Sequence, residues 1–157
     1  MRLRVTIALV VLLLLAVGVS MFIQSRRLEA SSVHTIDVYM DDMLAGRIDH
    51  EWLSKLESVQ AEIRGEMITC VSLIDTLESM GARPTSREEV LIEGDGQFAI
   101  VPAKSILPQW SAYIVYEVEG EPLSTENGGP YRVMVLKADG TNVSVNGAKR
   151  ITVQLME

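Results

Sequence analysis

Apolar and polar positions change rhythm several times along this chain, and each rhythm predicts an element. Thr6 to Ile23 is an unbroken run of 18 uncharged residues dominated by Leu, Val, Ile and Ala. That is the lower end of what spans a bilayer as a helix. From Thr35 to Met40 apolar and polar residues alternate, the period of a half-buried strand. Asp41-Asp42 followed by Gly46 reads as a turn. Asp49 is placed to cap a helix from about His50, with Trp52, Leu53 and Leu56 on one face. Val59 to Ile63 alternates again, and Arg64-Gly65-Glu66 turns the chain. Ser72 to Met80 is the clearest helix, with Val71, Ile74 and Leu77 at three-residue spacing and Gly81 where a left-handed C-cap is wanted.

Shorter runs fill the second half. Glu89 to Glu93 and Gln97 to Val101 flank Gly94-Asp95-Gly96, a tight-hairpin signature. Pro102 to Pro108 predicts a helical turn, and Ala112 to Tyr116 a buried strand continuing to Val118. A loop rich in Gly and Pro then runs from Gly120 to Arg132. Tyr131 to Leu136, Val143 to Val145 and Arg150 to Leu155 are further strands, separated by Asp139-Gly140 and Asn146-Gly147. This order predicts an α+β domain with a mixed, mostly antiparallel sheet and a few short helices, preceded by one N-terminal transmembrane helix. Residues 1–27 form the anchor, 28–34 a linker and 35–157 the domain.

Charge sharpens the picture. Arg2, Arg4, Arg26 and Arg27 bracket the apolar run, and beyond residue 27 ten Lys and Arg face 21 Asp and Glu, a balance of −11. Such a surface argues against nucleic acid, which demands a cationic footprint. The short N-terminal tail with its two arginines favours the cytoplasm, which places the domain on the extracytoplasmic side of a single-pass membrane protein. A cleaved signal peptide is the competing reading. Its cleavage candidates, Ala16-Val17-Gly18 and Gly18-Val19-Ser20, lie inside the apolar run.

Candidate chemistry is sparse. Cys70 is the single cysteine and sits among apolar residues, which reads as a small buried hydrophobe. His34 and His50 read as surface residues, and no metal-ligand spacing, catalytic triad or phosphate loop is present. Arg132 has the fork geometry for an anion, against the plain alternative of pairing with a nearby Glu. Asn127-Gly128-Gly129 reads either as an anion-binding nest of backbone N–H groups or as a simple turn. Lys149-Arg150 adds positive charge or merely ends a strand. Asp95 reads as a hairpin aspartate, and Tyr113, Tyr116 and Trp110 as core and rim aromatics.

Several segments together resemble the molybdopterin-binding oxidoreductase domain of the sulfite oxidase family. Val71 to Leu77 with Gly81 is similar to that family's Gly-Val-x-Leu-x-x-Leu-Leu helix, and Glu93-Gly94-Asp95-Gly96 to its Gly-x-Asp-Gly hairpin. Gly120-Glu121-Pro122-Leu123 resembles Asn-Gly-Glu-Pro-Leu, with Glu119 in the Asn position. Gly128-Gly129-Pro130-Tyr131-Arg132-Val133 resembles Gly-Gly-Pro-Leu-Arg-Leu, and Val145 to Ile151 stands where the family has Val-Lys-Trp-Leu-x-x-Ile. The resemblance implies a pterin-binding fold with molybdopterin as its cofactor.

Departures accompany the matches. No cysteine stands between Asp49 and Gly65, where the family's metal-ligating cysteine is expected, Asn127 replaces a His, and Asn146-Gly147 replaces the Lys-Trp pair. The expectation is therefore a family fold without catalytic or metal-binding residues of its own. Asn127, Gly128, Gly129 and Arg132 are its cofactor- or ligand-binding positions. Its expected partners are the membrane, through the N-terminal helix, and an envelope protein or small anionic ligand. The alternative is a molybdopterin-dependent redox protein or electron-transfer subunit at the membrane.

Overall fold

The computed structural model describes residues 34–63, 65–137 and 139–156. The expected anchor, Thr6 to Ile23, lies outside them, and no helix among the described residues is long and apolar enough to cross a membrane. The described chain falls within one compact unit, His34–Glu157.

Two sheets share its core. One has five strands in the order β2-β1-β11-β5-β6, where β1 is Ile36–Met40, β2 Met43–Ile48, β5 Glu88–Glu93, β6 Phe98–Pro102 and β11 Arg150–Leu155. The other follows the order β10-β9-β7-β4-β3, with β3 Ser58–Ile63, β4 Glu66–Ser72, β7 Ala112–Val118, β9 Arg132–Leu136 and β10 Asn142–Val145. A short β8, Glu121–Pro122, pairs off β7. Only β1 and β11 run parallel, and the other pairings are antiparallel, as expected of a mixed, mostly antiparallel arrangement. The partition into two sheets goes beyond the single sheet that the sequence suggested.

Inward residues of both sheets meet in one apolar cluster that includes Val38, Ile92 and Ile151 from the first and Val71, Ile114 and Val133 from the second. The second sheet carries a further apolar cluster on its other face, built from Ile68, Cys70, Tyr113, Val115, Leu123 and Met134. Strands of this sheet are therefore apolar on both sides, which is why Ala112 to Tyr116 reads as a continuous run rather than an alternation.

Two helices join the strands. In α1, His50–Ser54, the Asp49 carboxylate accepts from Trp52 N at 2.7 Å, the capping that the sequence suggests. In α2, Leu73–Ser79, the Ser72 hydroxyl accepts from Asp75 N, and Thr76 Oγ1 donates to Ser72 O at 2.7 Å. Its end is a Schellman closure, with Ala82 N donating to Leu77 O and Gly81 N to Glu78 O across a left-handed Gly81. Leu53, Leu73 and Leu77 are fully buried, so both helices pin their apolar face to the shared core.

Two segments differ from the sequence expectation. Met43–Ile48, read as part of a turn, is an edge strand whose register slips between Val38 and Tyr39, so that Ala45 is bulged out. A bulge resets the two-residue period, and the alternation is lost. Glu66–Ser72 is a central strand that passes into α2 with no turn between them, Ser72 being both its last residue and the helix cap.

Candidate functional site

Three turns converge at one end of the sheets. The first is the Gly94–Gly96 hairpin between β5 and β6, the second the loop from Glu119 to Tyr131, and the third the Asn146-Gly147 turn between β10 and β11. Asp95 N donates to Asn146 O at 3.1 Å, Gly147 N to Gly128 O at 2.9 Å, and Ala148 N to Tyr131 O at 2.9 Å. The Gln97 side-chain oxygen accepts from Asn146 N at 3.3 Å. Segments far apart in sequence thus share backbone hydrogen bonds, and three of those that carry the family resemblance stand side by side.

Local sequence explains the close approach. The β7–β8 hairpin turns through Glu119 and Gly120, both left-handed, with φ of 53° and 76°. A two-residue turn of this hand favours Asn-Gly, which accounts for the Asn of the family pattern. Here Glu119 compensates, since its Oε1 accepts from Met67 N at 2.7 Å and its own N–H donates to Met67 O. Downstream, a Cβ on Gly129 would collide with the Leu123 carbonyl, and one on Gly94 with the Asn146 carbonyl. Only glycine lets these backbones touch.

The loop's own N–H groups are satisfied internally. A 3₁₀ turn, Thr125–Asn127, has Asn127 N and Gly129 N donating to Ser124 O, and Gly128 N to Thr125 O. The turn reading of Asn127-Gly128-Gly129 therefore describes the backbone better than a nest does, and recognition at this loop falls to side chains. The Gly129-Pro130 bond is cis.

Arg132 stands on β9, an interior strand, on the same face as Met134. Its Nη2 donates to the Asn127 carbonyl rather than to a glutamate. Its Nε is buried and has no hydrogen-bond partner, an unusual state for a charged donor. Register sets Arg132 opposite Val115, and Val115 opposite Cys70, so the three form one row across β9, β7 and β4.

The remaining candidates settle as ordinary parts of the fold. Lys149 pairs with Asp95, and Arg150 lies 3.8 Å from Glu93 and over the Tyr39 ring. Tyr113 and Tyr116 are buried, and His50 meets the Tyr116 ring edge-on with Glu117 at 3.9 Å. Burial, with the Asp49 charge adding to it, pushes the Tyr131 phenol up to about 12, opposed by a hydrogen bond with the His50 backbone. That bond ties the end of the loop to the start of α1. Asn146, marked in the sequence only as a departure from the family's Lys-Trp pair, joins two of the turns with Gln97, which carried no signal beyond its place after the Gly94–Gly96 turn.

The family model described as "Oxidoreductase molybdopterin binding domain" matches residues 28–156, and the chain belongs to that family. No curated protein matches the chain.

The donors present fit such a cofactor at one end only. Arg132, with a buried unpartnered Nε, is suited to a phosphate. The metal end requires a thiolate, and the chain's one thiol does not supply it. Cys70 is buried, burial pushes it up to about 11, and its Sγ donates to the Val59 carbonyl at 3.6 Å. Among the described residues no three His, Cys, Asp or Glu side chains are grouped to hold a metal ion.

Proposed function

We propose that this chain is a membrane-anchored, extracytoplasmic member of the family that binds a small anionic ligand through the Asn127–Arg132 loop without redox chemistry at a metal. The carrying observation is that its one thiol, Cys70, is buried and kept protonated by that burial. Arg132 is the anchoring cation, Asn127 contributes its exposed side chain, and Gly128 and Gly129 allow close approach. Thr6 to Ile23 serves as the anchor, and the domain's acidic surface keeps it off anionic lipid.

The test is thermal stabilisation of the purified full chain by inorganic sulfate and phosphate. A saturable rise in melting temperature that Arg132→Ala abolishes supports the reading, and an identical response in both proteins contradicts it.

Family membership favours a second reading, a molybdopterin-dependent redox protein at the membrane. It predicts a visible absorbance band in the protein purified from its native membrane, lost in Arg132→Ala or Cys70→Ser.

A further inference from the structure

A second concave site lies at the other end of β9. It begins at Val135, three residues beyond Arg132, or about 10 Å along the strand at the usual rise. This groove of about 670 Å³ runs between β6 with its following 3₁₀ turn, Ala103–Ser105, and the β9–β10 hairpin. Small-molecule sites fall at roughly 300–1,000 Å³. Val101 and Val135 form its floor, and both are buried. Its rim is apolar and open to solvent, with Ile100 52% and Leu136 38% exposed.

Two lysines carry the positive charge of the lining. Lys104 and Lys137 both face the groove, and among the described residues neither ammonium has an ion-pair partner. The other two lysines, Lys55 and Lys149, are paired with Glu51 and Asp95. One carboxylate, Asp139, also lines the groove; it accepts from Thr141 N at 2.8 Å and from Thr141 Oγ1 at 2.6 Å, and the Lys137 charge acts on it from beyond ion-pair distance. In a domain whose charge is −11, the groove sets two lysines outside any ion pair beside solvent-exposed aliphatic side chains. An anion satisfies the lysines, and an apolar body covers Ile100 and Leu136.

We propose that this groove binds a small amphipathic carboxylate, its anionic head between Lys104 and Lys137 and its apolar body on Ile100, Pro102 and Leu136. The site is separate from the Arg132 loop and stands or falls independently of it.

The test uses the full chain in neutral-lipid nanodiscs, with 3-phenylpropionate, the uncharged 3-phenylpropionamide and inorganic phosphate as probes, read by methyl NMR. The expected result is a saturable shift of the Ile100 and Leu136 methyls with phenylpropionate. Binding of the amide and of phosphate should each be at least about tenfold weaker, the loss of roughly one good interaction. The double variant Lys104→Gln/Lys137→Gln should weaken the carboxylate about tenfold and leave the amide unchanged. Both lysines are exposed, and an unchanged methyl spectrum in the absence of probe verifies the variant's fold. If the variant fails that check, the comparison of probes on the unsubstituted chain decides alone. Equal affinity for acid and amide, equal affinity for phosphate, or no saturable shift at these methyls overturns the proposal.

Discussion

Cys70 and Arg132 stand two strands apart in one cross-strand row, and each has an electrostatic state that experiment can read. The Cys70 thiol is raised from an ordinary value of 9.0 to about 11 by burial. Below pH 9 folded and unfolded chains both keep this proton, so it does not bear on stability. Between pH 9 and 11 the unfolded chain releases the proton and the folded one retains it, so stability falls as pH rises. Thermal melts across that window should decline less steeply for Cys70→Ala than for the unsubstituted chain, after allowance for its lower starting value. At neutral pH the thiol should resist alkylation until the protein is denatured. Arg132→Ala sets two effects in opposition. It removes the bond to the Asn127 carbonyl, and it also removes a buried Nε that has no partner. Each is worth about 1–3 kcal/mol, so the net change in stability should be within about 2 kcal/mol in either direction. Hydrogen exchange of the Asn127, Gly128 and Gly129 amides should nonetheless accelerate, because the side chain that holds the loop closed is gone.

At the scale of elements, the turns matter more than the helices. Gly129→Ala drives a methyl into the Leu123 carbonyl, a backbone atom that cannot rotate away, and should cost about 3 kcal/mol by denaturant titration. Gly140→Ala is the matched comparison. Its φ is +80° but its Cβ meets nothing within 4 Å, so only the left-handed penalty of about 1 kcal/mol applies. Equal costs at the two positions would mean that the loop is not held against Leu123. Elements whose signal was local were legible in the sequence. The α1 cap at Asp49, the α2 stripe with Gly81, and the Gly94–Gly96 hairpin each rest on a few neighbouring residues, and each was found. The strands β2 and β4 were not, because their identity depends on partners. A bulge at Ala45 hides the alternation of β2. Burial on both faces, and the direct passage into α2 at Ser72, hide β4. For the site, the glycines and Arg132 could be marked from sequence. The contacts between turns could not, since Gly147, Asn146 and Gln97 are brought there by the two sheets' topology.

At the scale of the whole molecule, two sheets share one core, and three turns from distant parts of the chain meet at one end of it. That cluster holds Gly94, Gly128 and Gly129, the cis Gly129-Pro130 bond and Arg132 bound to the Asn127 carbonyl. Asp95 is taken up by Lys149, and the loop's amides by its own carbonyls. The proposed function requires that this member of the molybdopterin-binding family hold no molybdenum. Elemental analysis of the full chain, purified from its native source under conditions that preserve bound cofactors, reads this directly. Molybdenum far below one atom per chain is expected, and one molybdenum per chain with bound pterin overturns the proposal.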